Sequence, residues 1–144
     1  NPNDCTQQQR DAWEGGHITL ASGTSWKGVD KRLHAAVVNT SIVLDKRLYV
    51  SSTNNPADRH AAKSLHYVSR AVDISRVDDQ RIANDKSLAG PVQNTMLDQL
   101  GGDVAELFGP DWLYKSNGMT KTEGIFAEHQ NHVHVGVKGP LQEE

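Results

Sequence analysis

The chain is poor in the residues that provide covalent or aromatic support. Its 144 residues include a single cysteine, Cys5, so no disulfide can form within the chain. Any metal ion is therefore expected to be held by histidine and carboxylate side chains. Aromatic residues make up 6% of the chain, so the core must come mainly from aliphatic residues. A domain of this length buries enough apolar surface to fold without disulfides.

Long apolar runs and blocks of like charge are also missing. No segment approaches the roughly 20 apolar residues of a transmembrane helix, so no membrane span is expected. The 15 Lys and Arg residues are interspersed with 18 Asp and Glu, for a net charge of -3, which argues against a nucleic-acid partner. The chain starts at Asn1 without methionine or a signal-like pattern, which indicates a mature or excised fragment.

Hydrophobic periodicity predicts two main helices. Apolar residues recur at helical spacing over residues 29–44 and over residues 91–108, where Gly101-Gly102 interrupts the pattern. The polar pair Thr40-Ser41 leaves open whether the first helix extends through it. A further short helix is predicted over residues 4–14.

Alternating and β-rich stretches predict the strands. They lie at residues 47–52, 71–74, 112–114 and 131–137, with residues 18–22 as a short strand or extended arm. Residues 115–124 are predicted to form a polar loop, and Gly139-Pro140 to end the domain. The order predicts an α+β fold with a small, mostly antiparallel sheet packed with helices. We expect one domain over residues 1–144, with residues 1–25 as an N-terminal arm and short helix and residues 30–138 as the core.

Histidines cluster in two windows, which is the first indication of a metal site. One window holds His60 and His66, and the other holds His129, His132 and His134. Side chains alternate along a strand, so His132 and His134 are predicted to share one face. Two readings stay open from this pair alone, a metal site or a polar, solvent-facing strand.

The first window adds a carboxylate. His66 and Asp73 are seven residues apart, so a turn must fold His66 back over the strand that carries Asp73. A carboxylate between Val72 and Ile74 is costly to desolvate unless a positive partner meets it, either Arg70 or a metal ion. Two nitrogen ligands and one oxygen ligand, with a fourth position for water, are typical of catalytic zinc.

Two motifs carry a resemblance to a known group of proteins. Residues 64–74, SLHYVSRAVDI, fit the S-x-H-x6-D motif of D-alanyl-D-alanine and related cell-wall peptidases. They are more similar still to the hedgehog signalling domain. Residues 128–134, EHQNHVH, match its E-x3-H-x-H spacing, and residues 111–114 resemble one of its strands. The resemblance covers about residues 30–138 and implies a hedgehog/D-Ala-D-Ala carboxypeptidase-like fold.

The resemblance implies a role for each matching residue. His66, Asp73 and His134 would hold one Zn²⁺ ion. Glu128 would lie near the zinc-bound water, and His132 and His60 would assist in the transition state. The resemblance leaves both Glu128 and His132 open as the general base and slightly favours Glu128.

Four departures from the family pattern are visible. The arginine that often follows the first strand in carboxypeptidase relatives and grips a substrate carboxylate is not evident. Ser69 replaces the usual glycine of the first motif, so we expect a different backbone conformation in that turn. Asp78-Asp79 resembles one part of the acidic calcium cluster of animal hedgehogs, but the upstream acidic run is missing, so calcium is not expected. Residues 115–124 resemble an insertion.

The resemblance implies a zinc metallopeptidase of bacterial origin, periplasmic or secreted. Its substrate would be a peptide bond in peptidoglycan stem peptides or cross-bridges of the cell wall. The alternative is a hedgehog-like zinc-containing signalling module that binds a protein partner at the zinc groove without turnover. The pairing of ligands with acid-base residues favours the peptidase.

Overall fold

The computed structural model describes residues 17–53, 69–110, 112–115, 118–120 and 130–142. Within them the strands are β1 Ile18–Leu20, β2 Leu48–Ser52, β3 Ala71–Val77, β4 Gln80–Arg81, β5 Val104–Phe108, β6 Leu113–Lys115, β7 Gly118–Thr120 and β8 Val133–Val137. The helices are α1 Lys31–Leu44 and α2 Ala89–Leu100, with 3-10 turns at Lys86–Leu88 and Gly101–Asp103. The predicted helix over residues 4–14 lies outside the described residues.

The strands form one mixed sheet in the order β1-β2-β3-β8-β5-β6-β7, and β4 pairs with β3 as a hairpin. β1 and β2 are parallel because α1 forms the crossover between them. The other pairs are antiparallel. The prediction of an α+β fold with a mostly antiparallel sheet is confirmed.

Helix α1 continues through the polar residues that left its end open. Asp30 caps its start by accepting a hydrogen bond from Arg32 N, and Asp45 ends it in a left-handed conformation. Inside the helix, Thr40 Oγ1 donates to Met96 Sδ of α2, and Ser41 Oγ donates to Val38 O. These contacts satisfy the buried hydroxyl groups, so the polar pair does not break the helix.

The helix predicted over residues 91–108 is wrong in its second part, because residues 104–108 form β5. Gly101, with φ 53°, ends α2, and the chain then becomes extended. The ladder with β8 shifts register between Val104 and Glu106, which is a β-bulge. The bulge brings Val104 and Leu107, three residues apart, into the same core. That spacing imitates a helical period.

The other boundaries differ by smaller amounts. Residues 118–120 of the predicted polar loop form β7, which pairs with β6. The chain also continues past Gly139-Pro140, since Gln142 N donates to Asp30 Oδ2 and Gln142 O accepts from Lys31 N. The end of the described chain is thereby held against the start of α1. Within the described segments, no helix has the length and apolarity to cross a membrane.

Both helices pack on one face of the sheet. A single apolar cluster joins the helices to the central strands, and its members include Leu33, Val37, Val50, Val72, Ile74, Val92, Met96, Leu107, Val133 and Val135. Because side chains alternate along a strand, the neighbours of these residues face the other side of the sheet. That second face carries Asp73, Glu106 and His134.

Candidate functional site

The candidate site begins with two residues that lie directly opposite each other. Asp73 of β3 and His134 of β8 are paired in the antiparallel ladder. Their sequence neighbours Val72, Ile74 and Val133 are fully buried in the apolar core. The hydrophobic alternation therefore directs the carboxylate and the imidazole to the same, opposite face.

His134 contacts a carboxylate through each ring nitrogen. Its Nδ1 lies 3.0 Å from Asp73 Oδ1, and its Nε2 lies 3.1 Å from Glu106 Oε1. The ring also stacks on Phe108, with 5.4 Å between the centroids. His134 is only 7% exposed, so β3, β5 and β8 together fix its position and orientation.

The two carboxylates change the acid-base behaviour of His134. Burial would lower the pKa of its ring, but the hydrogen bonds to Asp73 and Glu106 and their negative charges raise the pKa to about 9. In the metal-free protein the ring is therefore an imidazolium at neutral pH. It supplies the positive charge that stabilises two carboxylates beside an apolar core.

His132 lies beside the same carboxylate. Its Nε2 is 3.8 Å from Asp73 Oδ1, and its Nδ1 is 2.6 Å from Asn131 Oδ1. His132 and His134 thus lie on the same side of the strand, as their spacing predicts. Arg70, the other partner considered for Asp73, donates instead to the backbone carbonyl of Val137.

The turn that precedes Asp73 contradicts one expectation. Ser69 has φ 60°, the left-handed conformation that glycine adopts most easily. Ser69 therefore keeps the left-handed conformation typical of glycine, and the different conformation that we expected at this position is not found. Asp30 N donates to Ser69 O over 2.9 Å, which ties the turn to the start of α1.

Three of the predicted site residues, His60, His66 and Glu128, lie outside the described residues. Among those that are described, Asp73, His132 and His134 are brought together. No group of three or more histidine, cysteine, aspartate or glutamate side chains in the described part of the chain forms a metal site.

Glu106 is a site residue that the sequence reading missed. The helix predicted over residues 91–108 gave no reason to assign Glu106 to the site. The bulge between Val104 and Glu106 turns its carboxylate to the face that carries His134. A glutamate within a buried, β-rich stretch could have indicated Glu106 as a site residue. The three-residue spacing of Val104 and Leu107 favoured a helix instead.

The donor atoms of Asp73 and His134 fit a zinc ion after a small adjustment. Tetrahedral zinc with bonds of about 2.0–2.2 Å holds its ligand atoms roughly 3.3–3.4 Å apart. The oxygen and nitrogen are 3.0 Å apart, as in a hydrogen bond. To hold zinc they would have to separate by a few tenths of an ångström, and Nδ1 would have to lose its hydrogen. Glu106 would keep its contact with Nε2, the other nitrogen of the ring.

The acids that resemble a calcium cluster have other roles in this fold. Asp78 and Asp79, with φ 51° and 65°, form the two-residue turn between β3 and β4. Asp78 pairs with Lys46, and Asp79 pairs with Arg47. The hydrogen bond from the backbone of Arg47 is the main cause that holds the pKa of Asp78 below its ordinary value.

Comparison with known proteins adds no relative to this picture. No protein-family model matches the chain. No curated protein matches it significantly.

Proposed function

We propose that this chain is a zinc-dependent peptidase domain of the hedgehog/D-Ala-D-Ala carboxypeptidase type. His66, Asp73 and His134 would hold one Zn²⁺ ion, and the substrate would be a peptide bond of peptidoglycan stem peptides or cross-bridges. A bacterial protein with this activity would work in the periplasm or outside the cell. The observation that carries the proposal is the arrangement of His134 between Asp73 and Glu106.

This arrangement supports His134 as a metal ligand, because one ring nitrogen can bind the metal while the other is held by a carboxylate. A metal-binding histidine commonly donates its second N–H to a carboxylate, which fixes the ring and increases its basicity. Glu106 Oε1, 3.1 Å from Nε2, is suited to that task. Nδ1 then faces Asp73 Oδ1, and these two atoms are the donors that a metal would share.

The remaining residues supply acid-base groups around the same point. Zinc acts as a Lewis acid toward a scissile carbonyl and makes water a better nucleophile. Glu128 or His132 would take the proton of the attacking water, and His60 would stabilise developing negative charge. His132 lies 3.8 Å from Asp73 and is oriented by Asn131, which supports a role beside the metal.

Metal content tests the ligand set. We expect about one zinc per chain by mass spectrometry after zinc loading and removal of excess metal. His66→Ala and His134→Ala should lose the metal, whereas Glu128→Ala should keep it. His17→Gln is the matched control, because His17 precedes β1 and contacts Asp45 instead of Asp73. Folded protein that takes up no zinc would refute the proposed site.

Digestion of purified peptidoglycan tests turnover. The zinc-loaded protein should release peptides or new amino termini, and Glu128→Ala or His132→Ala should reduce this by at least about a hundredfold. Cell walls with different cross-bridges should be compared, because the bond is to be identified by the products. Full zinc occupancy without any cleavage would instead support the zinc-containing binding module with a protein partner at the groove.

A further inference from the structure

One flat face of the His134 ring is covered by Phe108, the last residue of β5. The two residues are directly opposite each other in the ladder between β5 and β8. Their rings stack with 5.4 Å between the centroids and 18° between the planes. Phe108 is only 5% exposed, so it can act on the site through the groups it contacts and not by binding a substrate.

The stacking restrains a motion that the two carboxylates leave open. Asp73 and Glu106 contact the two ring nitrogens of His134, which fixes the line through Nδ1 and Nε2. The ring can still tilt about this line, and a flat neighbour against one face opposes the tilt. A metal lies in the plane of the imidazole that binds it, so the tilt of the ring affects metal binding.

The chain that follows Phe108 is held from the helix side by Gln93. Gln93 lies on α2 and is fully buried, whereas the other buried residues of that helix are apolar. Its Nε2 donates to the backbone carbonyl of Trp112, just before β6, over 2.8 Å. A buried amide is costly unless it is hydrogen-bonded, so this contact accounts for a polar side chain in the core.

The Gln93 amide also lies against the backbone of Gly109. A Cβ atom at residue 109 would overlap the side-chain carbonyl of Gln93, so glycine leaves the room that the amide occupies. Gln93 thus contacts the connection between β5 and β6 at both of its ends. Because Phe108 directly precedes Gly109, a shift of this connection would move the ring that stacks on His134.

We propose that Gln93 and Phe108 are positioning residues for His134. Gln93 fixes the connection between β5 and β6, this connection fixes Phe108, and Phe108 fixes the tilt of the His134 ring. The inference rests on the proposed function where it concerns zinc, but the orientation of the ring can be measured without a metal.

NMR of the zinc-free protein tests the positioning separately from metal binding. The carbon-bound ring protons of His134 are shielded by the stacked ring, so their chemical shifts report the stacking geometry. Gln93→Met keeps a side chain of similar length but loses the N–H donor, so these signals should move toward their positions in Phe108→Leu. Gln99→Met, at a half-buried glutamine of the same helix, is the matched control and should leave them unchanged.

Zinc affinity tests whether the two residues act in series. Competition with a chromophoric chelator should show a loss of about tenfold or more for Phe108→Leu and for Gln93→Met. Because Gln93 acts through Phe108, the double variant should bind zinc about as well as Phe108→Leu alone. Two independent effects would instead add.

Gly109→Ala disturbs the same contact while Gln93 is retained, and it tests the inference should Gln93→Met fail to fold. The added methyl group should displace the Gln93 amide from Trp112 O and move the His134 ring signals in the same direction. Gly102→Ala is its control, because this exposed glycine has no atom within 4 Å of the added carbon.

The outcomes separate this inference from the proposed function. His134 ring signals that move in Gln93→Met and Gly109→Ala, but not in the controls, support the positioning even if the parent protein binds no zinc. Unchanged ring signals in these two variants, or zinc losses that add fully in the double variant, would overturn it. Zinc binding by Phe108→Leu with the affinity of the parent protein would do the same while leaving the zinc site intact.

Discussion

His134 is held by carboxylates from two different strands, and this double contact defines its chemistry. Asp73 on β3 and Glu106 on β5 flank β8, so the central position of β8 in the sheet creates the arrangement. A histidine at a sheet edge would have at most one such neighbouring strand. The site therefore depends on strand order as much as on the histidine itself.

Glu106 is predicted to be a positioning residue that acts through His134. Glu106→Ala should lower zinc affinity by roughly 10- to 100-fold, the usual effect of removing a carboxylate behind a metal-binding histidine. Glu106→Gln, which keeps the acceptor oxygen without the charge, should fall between this variant and the parent protein. Competition with a chromophoric zinc chelator measures the affinity.

Asp98→Asn is the control for the Glu106 variants, because Asp98 is an exposed carboxylate on α2. It should bind zinc like the parent protein. NMR of the ring nitrogens of His134 adds a readout that a general loss of stability does not mimic. The Nε2 signal of the zinc-bound protein should change in Glu106→Ala while that in Asp98→Asn does not. Unchanged affinity and an unchanged Nε2 signal in Glu106→Ala would show that Glu106 does not support the ligand.

At the scale of secondary structure, the start of α1 connects distant parts of the chain. Asp30 is fully buried and accepts hydrogen bonds from the backbone and side chain of Arg32 and from Gln142 N. Arg32 Nη2 also donates to Lys138 O over 2.6 Å. One buried ion pair thereby joins α1 to the segment that follows β8.

This ion pair predicts a defined loss of stability in acid. Burial would raise the pKa of Asp30, but the hydrogen bonds from Arg32 and Gln142 outweigh it and hold the pKa below the ordinary value of 3.8. A lowered folded-state pKa stabilises the protein above the unfolded-state pKa, and this contribution is lost as the pH falls below about 3.8. Urea unfolding of the parent protein at pH 7, 4 and 3 should show the decrease.

Asp30→Asn provides the comparison for the acid effect. The variant should be about 3 kcal/mol less stable at pH 7, because the buried charge of Arg32 then has only the exposed carboxylate of Asp103, 3.3 Å away, as a counterion. Its stability should change less between pH 4 and pH 3 than that of the parent protein. Parallel pH curves for the two proteins would contradict the role assigned to Asp30.

The regularity of the apolar spacing in each helix or strand determines whether that element could be predicted from the sequence. Most of α1, together with β2, β3 and β8, was predictable because apolar residues recur in each at the spacing of a helix or a strand. The strand β5 was not, because its bulge places Val104 and Leu107 in the core at a spacing that a helix would also give. Asp73, His132 and His134 were predictable from strand alternation, whereas Glu106 depends on the bulge and on the order of the strands.

At the scale of the whole molecule, the apolar core and the candidate site lie on opposite faces of the sheet. Both helices and the apolar cluster occupy one face of the sheet, and Asp73, Glu106 and His134 occupy the other. Substitutions on the second face can therefore alter the site while most of the core remains packed. A metal ion that binds only the folded chain stabilises it, so metal binding can be measured through global unfolding.

Zinc is predicted to raise the stability of the folded chain through this linkage. A ligand that binds only the folded state at 100 times its dissociation constant adds about 2.7 kcal/mol. For a domain of this size that corresponds to an increase in Tm of roughly 5–10 °C.

Calorimetry with and without zinc should give this increase for the parent protein and for His17→Gln. The increase should be lost in His66→Ala and Asp73→Asn, since each removes one ligand. An equal increase in all four proteins would mean that zinc binds elsewhere, because His17 and the proposed ligands then have the same effect.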